Sequence, residues 1–148
     1  MMNHKIFIDS WGFISLFNKK EYYNKSVIEY FRSCTESRYQ IFTTNFVISE
    51  TITHLYRDIG HDRSKPGTEA LLEKIELGIL HYVEIDYERL KKTLGLRYKF
   101  KDKPKISFTD LTSIVVMKEF EINEILTMDK HFEQVNLGFE LKPVLGTI

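Results

Sequence analysis

The sequence has a single cysteine, Cys34, in 148 residues, so no intrachain disulfide can form. A lone cysteine without a spaced set of Cys and His also argues against a structural zinc. There is no excess of either charge: Lys+Arg is 21, Asp+Glu is 21 and the formal net charge is zero. A protein-wide basic field is thereby excluded, and a nucleic-acid partner would be held by a local patch or through bound cations. No stretch approaches the roughly 18 apolar residues that suggest a membrane span. The start, MMNHKIFIDSWGF, has no long apolar run of signal-peptide type. The expectation is a soluble cytoplasmic protein with no membrane contact. Repeats, low-complexity tracts and linkers are also missing, so residues 1–148 are expected to form a single domain.

What is present suits a packed core. Hydrophobic residues make up 43% and aromatics 14%, which argues against disorder. KIFID, residues 5–9, is a short apolar run ending in an acid and reads as a strand. SWGFISLFNKKE follows with helical spacing, and KSVIEYFRSC, residues 25–34, is a second helix. YQIFTT, residues 39–44, is a buried strand. NFVISETITHLYRDIG places Ile48, Ile52, Leu55, Tyr56 and Ile59 on a 3.6-residue period that stops at Gly60. GHDRSKPGTE, with two glycines and a proline, reads as the one clear loop. EALLEKIELGIL is helical, HYVEID a strand, YERLKKTLGLRY a helix and KFKDKPKISFT a basic loop. A helix beginning at Asp110 then leads into the strand NEILTM, and FELKP is a last, edge strand because a proline follows. Strands alternating with helices imply an α/β fold: a central parallel sheet of about five strands with helices on both faces.

In such sheets ligands bind beyond the carboxyl ends of the strands. Asp9 ends the first strand, and Glu50 lies in the second turn of the helix after QIFTT. Asp110 opens the helix before NEILTM, and Asp129 lies just past that strand. Asp86 ends HYVEID in the same way and is a fifth candidate. Each has a structural alternative. Asp9 suits a helix N-cap, Glu50 a helix surface outside the apolar stripe, Asp110 a helix dipole and Asp129 a turn. Caps do not account for Glu50, however, and all these acids fall on one edge. Clustered carboxylates repel, and at least one is protonated unless a cation joins them. Mg²⁺ and Mn²⁺ take oxygen ligands, lower the pKa of a bound water and polarise a phosphoryl oxygen. Such a set points to metal-assisted phosphodiester chemistry rather than zinc or redox work.

FIDSWGFISLF, VISETI, SFTDLTSIVVMKEF and ILTMDKHF, taken in order, resemble the four acidic motifs of the PIN-domain family. The pattern is similar to the VapC-like ribonuclease toxins of prokaryotic toxin–antitoxin pairs and covers nearly the whole chain. The resemblance implies a PIN-like three-layer sandwich. It implies metal-binding and catalytic roles for Asp9, Glu50, Asp110 and Asp129, with Ser10 and Thr127 as supporting hydroxyls that orient carboxylates or the metal's waters. It further implies RNA as substrate, Mg²⁺ or Mn²⁺ as cofactor, an antitoxin whose tail enters the acidic groove, and a homodimer. The chain departs from the family after Asp110, where LTSIVVMKEF carries no alanine and has a bulky Met117. Residues 60–105 contain no motif of the family.

Between residues 91 and 105 lie Lys91, Lys92, Arg97, Lys99, Lys101, Lys103 and Lys105, with Asp102 the one acid and Tyr98 and Phe100 interleaved. Arg97, Lys99, Lys101, Lys103 and Lys105 are the candidate RNA contacts, against the alternative of a solvated loop. His54, one turn beyond Glu50, is expected to be an ordinary surface or core histidine. His131 follows Asp129, but Phe132 is the expected core anchor, and His61 is assigned no role. A helical hairpin through residues 60–67 would serve dimer or antitoxin contacts in such a family, or simply cover the sheet. Two rival functions are weighed. A receiver or aspartyl-phosphate phosphatase also needs an acid after the first strand, but IDSWG lacks the adjacent acid or Asp-x-Asp. A PIN-like RNA- or protein-binding module, or a PIN nuclease of RNA processing, is the nearer alternative. The intact set of four acids favours catalysis.

Overall fold

Short runs rich in Ile, Phe, Leu and Thr make the strands β1 (Lys5–Ile8), β2 (Gln40–Thr44), β3 (Leu80–Val83), β4 (Glu124–Leu126) and β5 (Glu140–Lys142). They form one all-parallel sheet in the order β3-β2-β1-β4-β5. The structure, a computed structural model, describes residues 4–144. A parallel sheet is covered on both faces, so its central strands need near-continuous apolar runs. In β1, Ile6, Phe7 and Ile8 are all buried, as are Ile41 to Thr44 of β2 and Ile125 and Leu126 of β4. At the β3 edge His81 and Tyr82 are exposed.

The helices are α1 (Ser10–Phe17), α2 (Asn24–Glu36), α3 (Asn45–Glu76), α4 (Tyr87–Lys99), α5 (Phe108–Glu119) and α6 (His131–Gln134). The chain steps from β1 to β2 to β3 in one direction and then returns past β1 to β4 and β5. Right-handed crossovers therefore put α1, α2 and α3 on one face and α4, α5 and α6 on the other. The packing agrees: α1 lies against α2 and α3, α4 against α5, and α5 against α6. This is the three-layer α/β architecture expected from the alternation of elements. Among the described residues, no helix is long and apolar enough to cross a membrane.

Helix α5 is buried on every side from Asp110 to Met117, which explains a sequence that is apolar all round rather than striped. Met117 fills core space with no exposure. Two small side chains of this helix, Thr112 and Ser113, are buried, and their hydroxyls donate to the Thr109 carbonyl at 2.5 and 3.2 Å.

The loop expected at residues 60–69 is helical instead. Only Gly60 leaves helical geometry, at φ 78° and ψ 175°, so α3 is two helices joined by a one-residue break. Pro66 sits inside the second of them, where a missing N–H costs the helix a single bond. The second half packs closely on α1: a Cβ at Gly67 would lie 2.9 Å from Phe17 Cγ. Its inner side is thus fitted against α1. Strand β3 also stops at Val83, short of Asp86, and α6 is a turn that the periodicity did not suggest.

Gly12 sets how closely α1 lies over β4. A Cβ there would stand 2.7 Å from the Leu126 carbonyl oxygen and 2.8 Å from Ile8 Cγ2. Gly12→Ala is expected to destabilise the protein by about 1–3 kcal/mol, as overpacking does. Gly95→Ala, mid-helix in α4 with nothing within 4 Å, should instead stabilise by about 0.5–1 kcal/mol. Urea unfolding of both variants checks the contrast.

Candidate active site

Strand order reverses between β1 and β4. The chain leaving β1 heads toward β2 and the chain leaving β4 heads toward β5, so a crevice opens beyond their carboxyl ends. The acids arrive there from four segments. Asp9 directly follows β1 and also caps α1, its Oδ1 accepting from Gly12 N–H at 3.1 Å. Cap and site are thus the same residue. Glu50 is carried in by α3, whose start is fixed by Thr44, its hydroxyl accepting from Val47 N–H at 3.1 Å. Asp110 sits in the first turn of α5, which begins at Phe108 behind a Ser107 cap; the Ser107 hydroxyl accepts from Asp110 N–H at 3.0 Å. Asp129 follows β4 after two residues and accepts from His131 N–H at 2.9 Å.

One cavity of about 440 Å³ is lined by all four acids together with Ser10, Trp11, Lys105, Ser107, Met128 and His131. The hydroxyls tie the set together. Ser10 Oγ donates to Glu50 Oε1 at 2.6 Å. Thr127 accepts from Asp129 N–H at 2.9 Å and acts to lower the pKa of the neighbouring Asp9 carboxyl. Asp86 is not in the cavity. Its exposed side chain caps α4 by accepting from Arg89 N–H at 2.9 Å, and the structural alternative holds for this fifth candidate. Two larger cavities, about 720 and 700 Å³, lie along α1, α2 and the second half of α3. No carboxylate lines either of them, so carboxylate ligands for a cation are found in the smaller one.

The electrostatics are those of acids held where water cannot screen them. Asp9 is 4% exposed and Asp110 8%. Burial pushes the Asp9 carboxyl up to about 8; Asp110 and Asp129 add to the rise, while Thr127 and the Gly12 N–H oppose it. Asp110 rises to about 7, first through burial, then through Asp129 and Glu50, against the pull of His131. A divalent cation resolves this strain by replacing repulsion with ligation. The donor set fits one: Asp110, Asp129 and His131 each place a ligand atom within 4.8 Å of the others.

The basic residues divide on inspection. Arg97 donates to the carbonyls of Ile106, Phe100 and Lys103 at 2.6, 2.8 and 2.7 Å. Its guanidinium is engaged in folding the loop before α5, so of the five basic candidates it is the one with the most contacts inside the protein. Lys103 pairs with Asp102 at 3.1 Å, and Lys99 lies 5.6 Å over the Phe100 ring. Lys101 is exposed, and Lys105 reaches the cavity rim. His54 meets Arg57 at 3.1 Å and does not line the cavity. His131 is the residue that sequence reasoning undervalued. Phe132 is indeed the anchor at 1% exposed, and by fixing the turn it points His131 at the acids. The spacing Asp129-x-His131 was the available signal.

The fold and cavity together define an all-parallel α/β sandwich with an acidic cavity at its switch point. The PIN domain model matches residues 6–137, and the chain belongs to the PIN domain family. No curated protein matches it by sequence. Among solved structures, it resembles VapC20 of Mycobacterium tuberculosis, described as a sarcin–ricin loop cleaving toxin. The TM-score is 0.74 at 21% identity, over 91% of this chain and 96% of that one.

Because Asp9 and Asp110 have folded-state values above the ordinary 3.8, the native state binds more protons than the unfolded chain from about pH 4 upward. Metal-free stability should therefore fall as pH rises from 5 to 8, by at most about 1.4 kcal/mol per pH unit for each group. Thermal unfolding across that range should show the slope, and Asp9→Asn should flatten it.

Proposed function

We propose that the protein is a metal-dependent endoribonuclease, the toxin of a toxin–antitoxin pair. The observation that carries the proposal is the meeting of Asp9, Glu50, Asp110 and Asp129 around one cavity. Membership of the PIN family and likeness to a toxin described as cleaving the sarcin–ricin loop support RNA as the substrate and an antitoxin as partner. Mg²⁺ or Mn²⁺ suits a site made chiefly of carboxylate oxygens. When bound, the cation supplies charge stabilisation at the phosphate and a water acidic enough to attack it.

The chain's own residues do the rest. Asp9, Asp110 and Asp129 hold the cation. Glu50, fixed by Ser10, binds it or positions the attacking water. Thr127 keeps Asp9 and Asp129 in register. Lys105 at the rim, with exposed Lys101 nearby in sequence, meets backbone phosphates as they enter. No protein nucleophile is required, and the product keeps a 5′-phosphate. The acids repel a free polyanion, so a cation held by them would supply the attraction for phosphate that a general basic surface does not.

The test is cleavage of labelled structured RNAs, a sarcin–ricin stem-loop among them, with Mg²⁺ or Mn²⁺ and with EDTA. Cleavage should require metal. Asp110→Asn should lower it by about 100-fold or more, the scale of losing a transition-state charge partner, while Asp86→Asn leaves it unchanged. Metal-independent cleavage, or equal rates in Asp110→Asn, would overturn the proposal.

A further inference from the structure

We propose that His131 supplies a nitrogen ligand to the cation and biases this site toward Mn²⁺ and other transition ions over Mg²⁺. The inference rests on the metal-dependent reading above and adds a residue and a selectivity to it.

The geometry carries the argument. His131 Nδ1 lies 3.2 Å from Asp129 Oδ1 and 3.5 Å from Asp110 Oδ2. Ligand atoms at neighbouring corners of an octahedron with bonds of roughly 2.1 Å stand about 3 Å apart, and opposite ones about 4.2 Å. The two observed spacings match neighbouring corners, and the full trio stays within 4.8 Å. The same nitrogen is buried and has no hydrogen-bond partner. Both carboxylates are near enough to share a cation with it. A buried nitrogen in that condition is costly, and a cation between the three groups would satisfy it.

The position is also built. The His131 N–H is fixed on Asp129 Oδ1 at 2.9 Å, and the next residue, Phe132, is locked in the core. The other histidines are engaged elsewhere. His4 pairs with Glu124, His54 with Arg57, His61 packs on Tyr56 and His81 stacks on Phe42. None of these lines the acidic cavity. Imidazole suits first-row transition ions, whereas Mg²⁺ favours oxygen throughout its shell.

The experiment reads coordination directly. Mn²⁺ is added to wild-type protein and to His131→Gln, and electron spin-echo modulation is recorded. Mg²⁺ competition then gives the ratio of the two affinities. Metal-free thermal midpoints of both proteins check folding. The expected result is nitrogen modulation in the wild type, altered by ¹⁵N-histidine labelling and absent in the variant. The Mn²⁺:Mg²⁺ preference should fall by at least the roughly 10-fold that even outer-sphere partners contribute. If the variant does not fold, the labelled wild type decides alone. Mn²⁺ bound without nitrogen modulation, or an unchanged preference in a folded variant, overturns the role of His131 and leaves the four-acid site standing. No Mn²⁺ binding by the folded wild type overturns the metal reading itself.

Discussion

The parallel pairing of β1 with β4 decides where everything else in the molecule goes. Phe7 stands opposite Ile125 and Ile8 opposite Leu126, so the two strands finish side by side. Asp9 and Thr127 are the first residues beyond them, and the Thr127 hydroxyl acts to lower the pKa of the Asp9 carboxyl against the rise caused by burial. This contact between remote parts of the chain sets the width of the crevice. Gly12 preserves it from above, because α1 can lie over the Leu126 carbonyl only without a side chain there. Helices α3 and α5 then need only start at the same sheet edge to deliver Glu50 and Asp110. The site is a property of topology, with side chains filling places the sheet has already made.

Those places are hostile to charge. Folding buries Asp9 and Asp110 beside Asp129 and Glu50 and compensates only in part, through the α1 N-terminus, Thr127 and Ser10. A protein selected for stability alone would put neutral groups there. The apolar interior supplies the surplus. Phe7, Phe13 and Phe132 are fully buried, and truncating any one would cost about 3–5 kcal/mol. The central strands and α5 carry this reserve immediately behind the acids.

Much of this was legible in the chain. The strands showed as β-branched and aromatic runs of the right length, and the acids stood at their ends, so fold class and the cavity's carboxylates could be read in advance. What escaped has physical causes. Residues 60–69 looked like a loop because glycine and proline usually break helices, but Gly60 confines the break to one residue and Pro66 forfeits only one bond. Helix α6 is too short for a period to show. Counting basic residues could not reveal that Arg97 is consumed by three carbonyls. The ring of His131 is aimed by the burial of its neighbour, a tertiary fact. Asp86 looked like a strand-end acid too, but it lies three residues beyond β3, the edge strand of the sheet, rather than beside the reversal where the other four meet.

The cavity's own charge has a consequence for order of assembly. Four carboxylates repel a polyanion as strongly as they attract a cation, so the two ligands cannot be indifferent to each other. In a metal-dependent nuclease of the kind proposed, each would raise the other's affinity by the same factor, as thermodynamic reciprocity demands. Under the proposed function, cation supply would then gate substrate capture as well as bond breaking. A carboxylate-bearing peptide would be refused for the same reason, whereas a cationic one placed in the cavity would neutralise it without a metal and shut the gate.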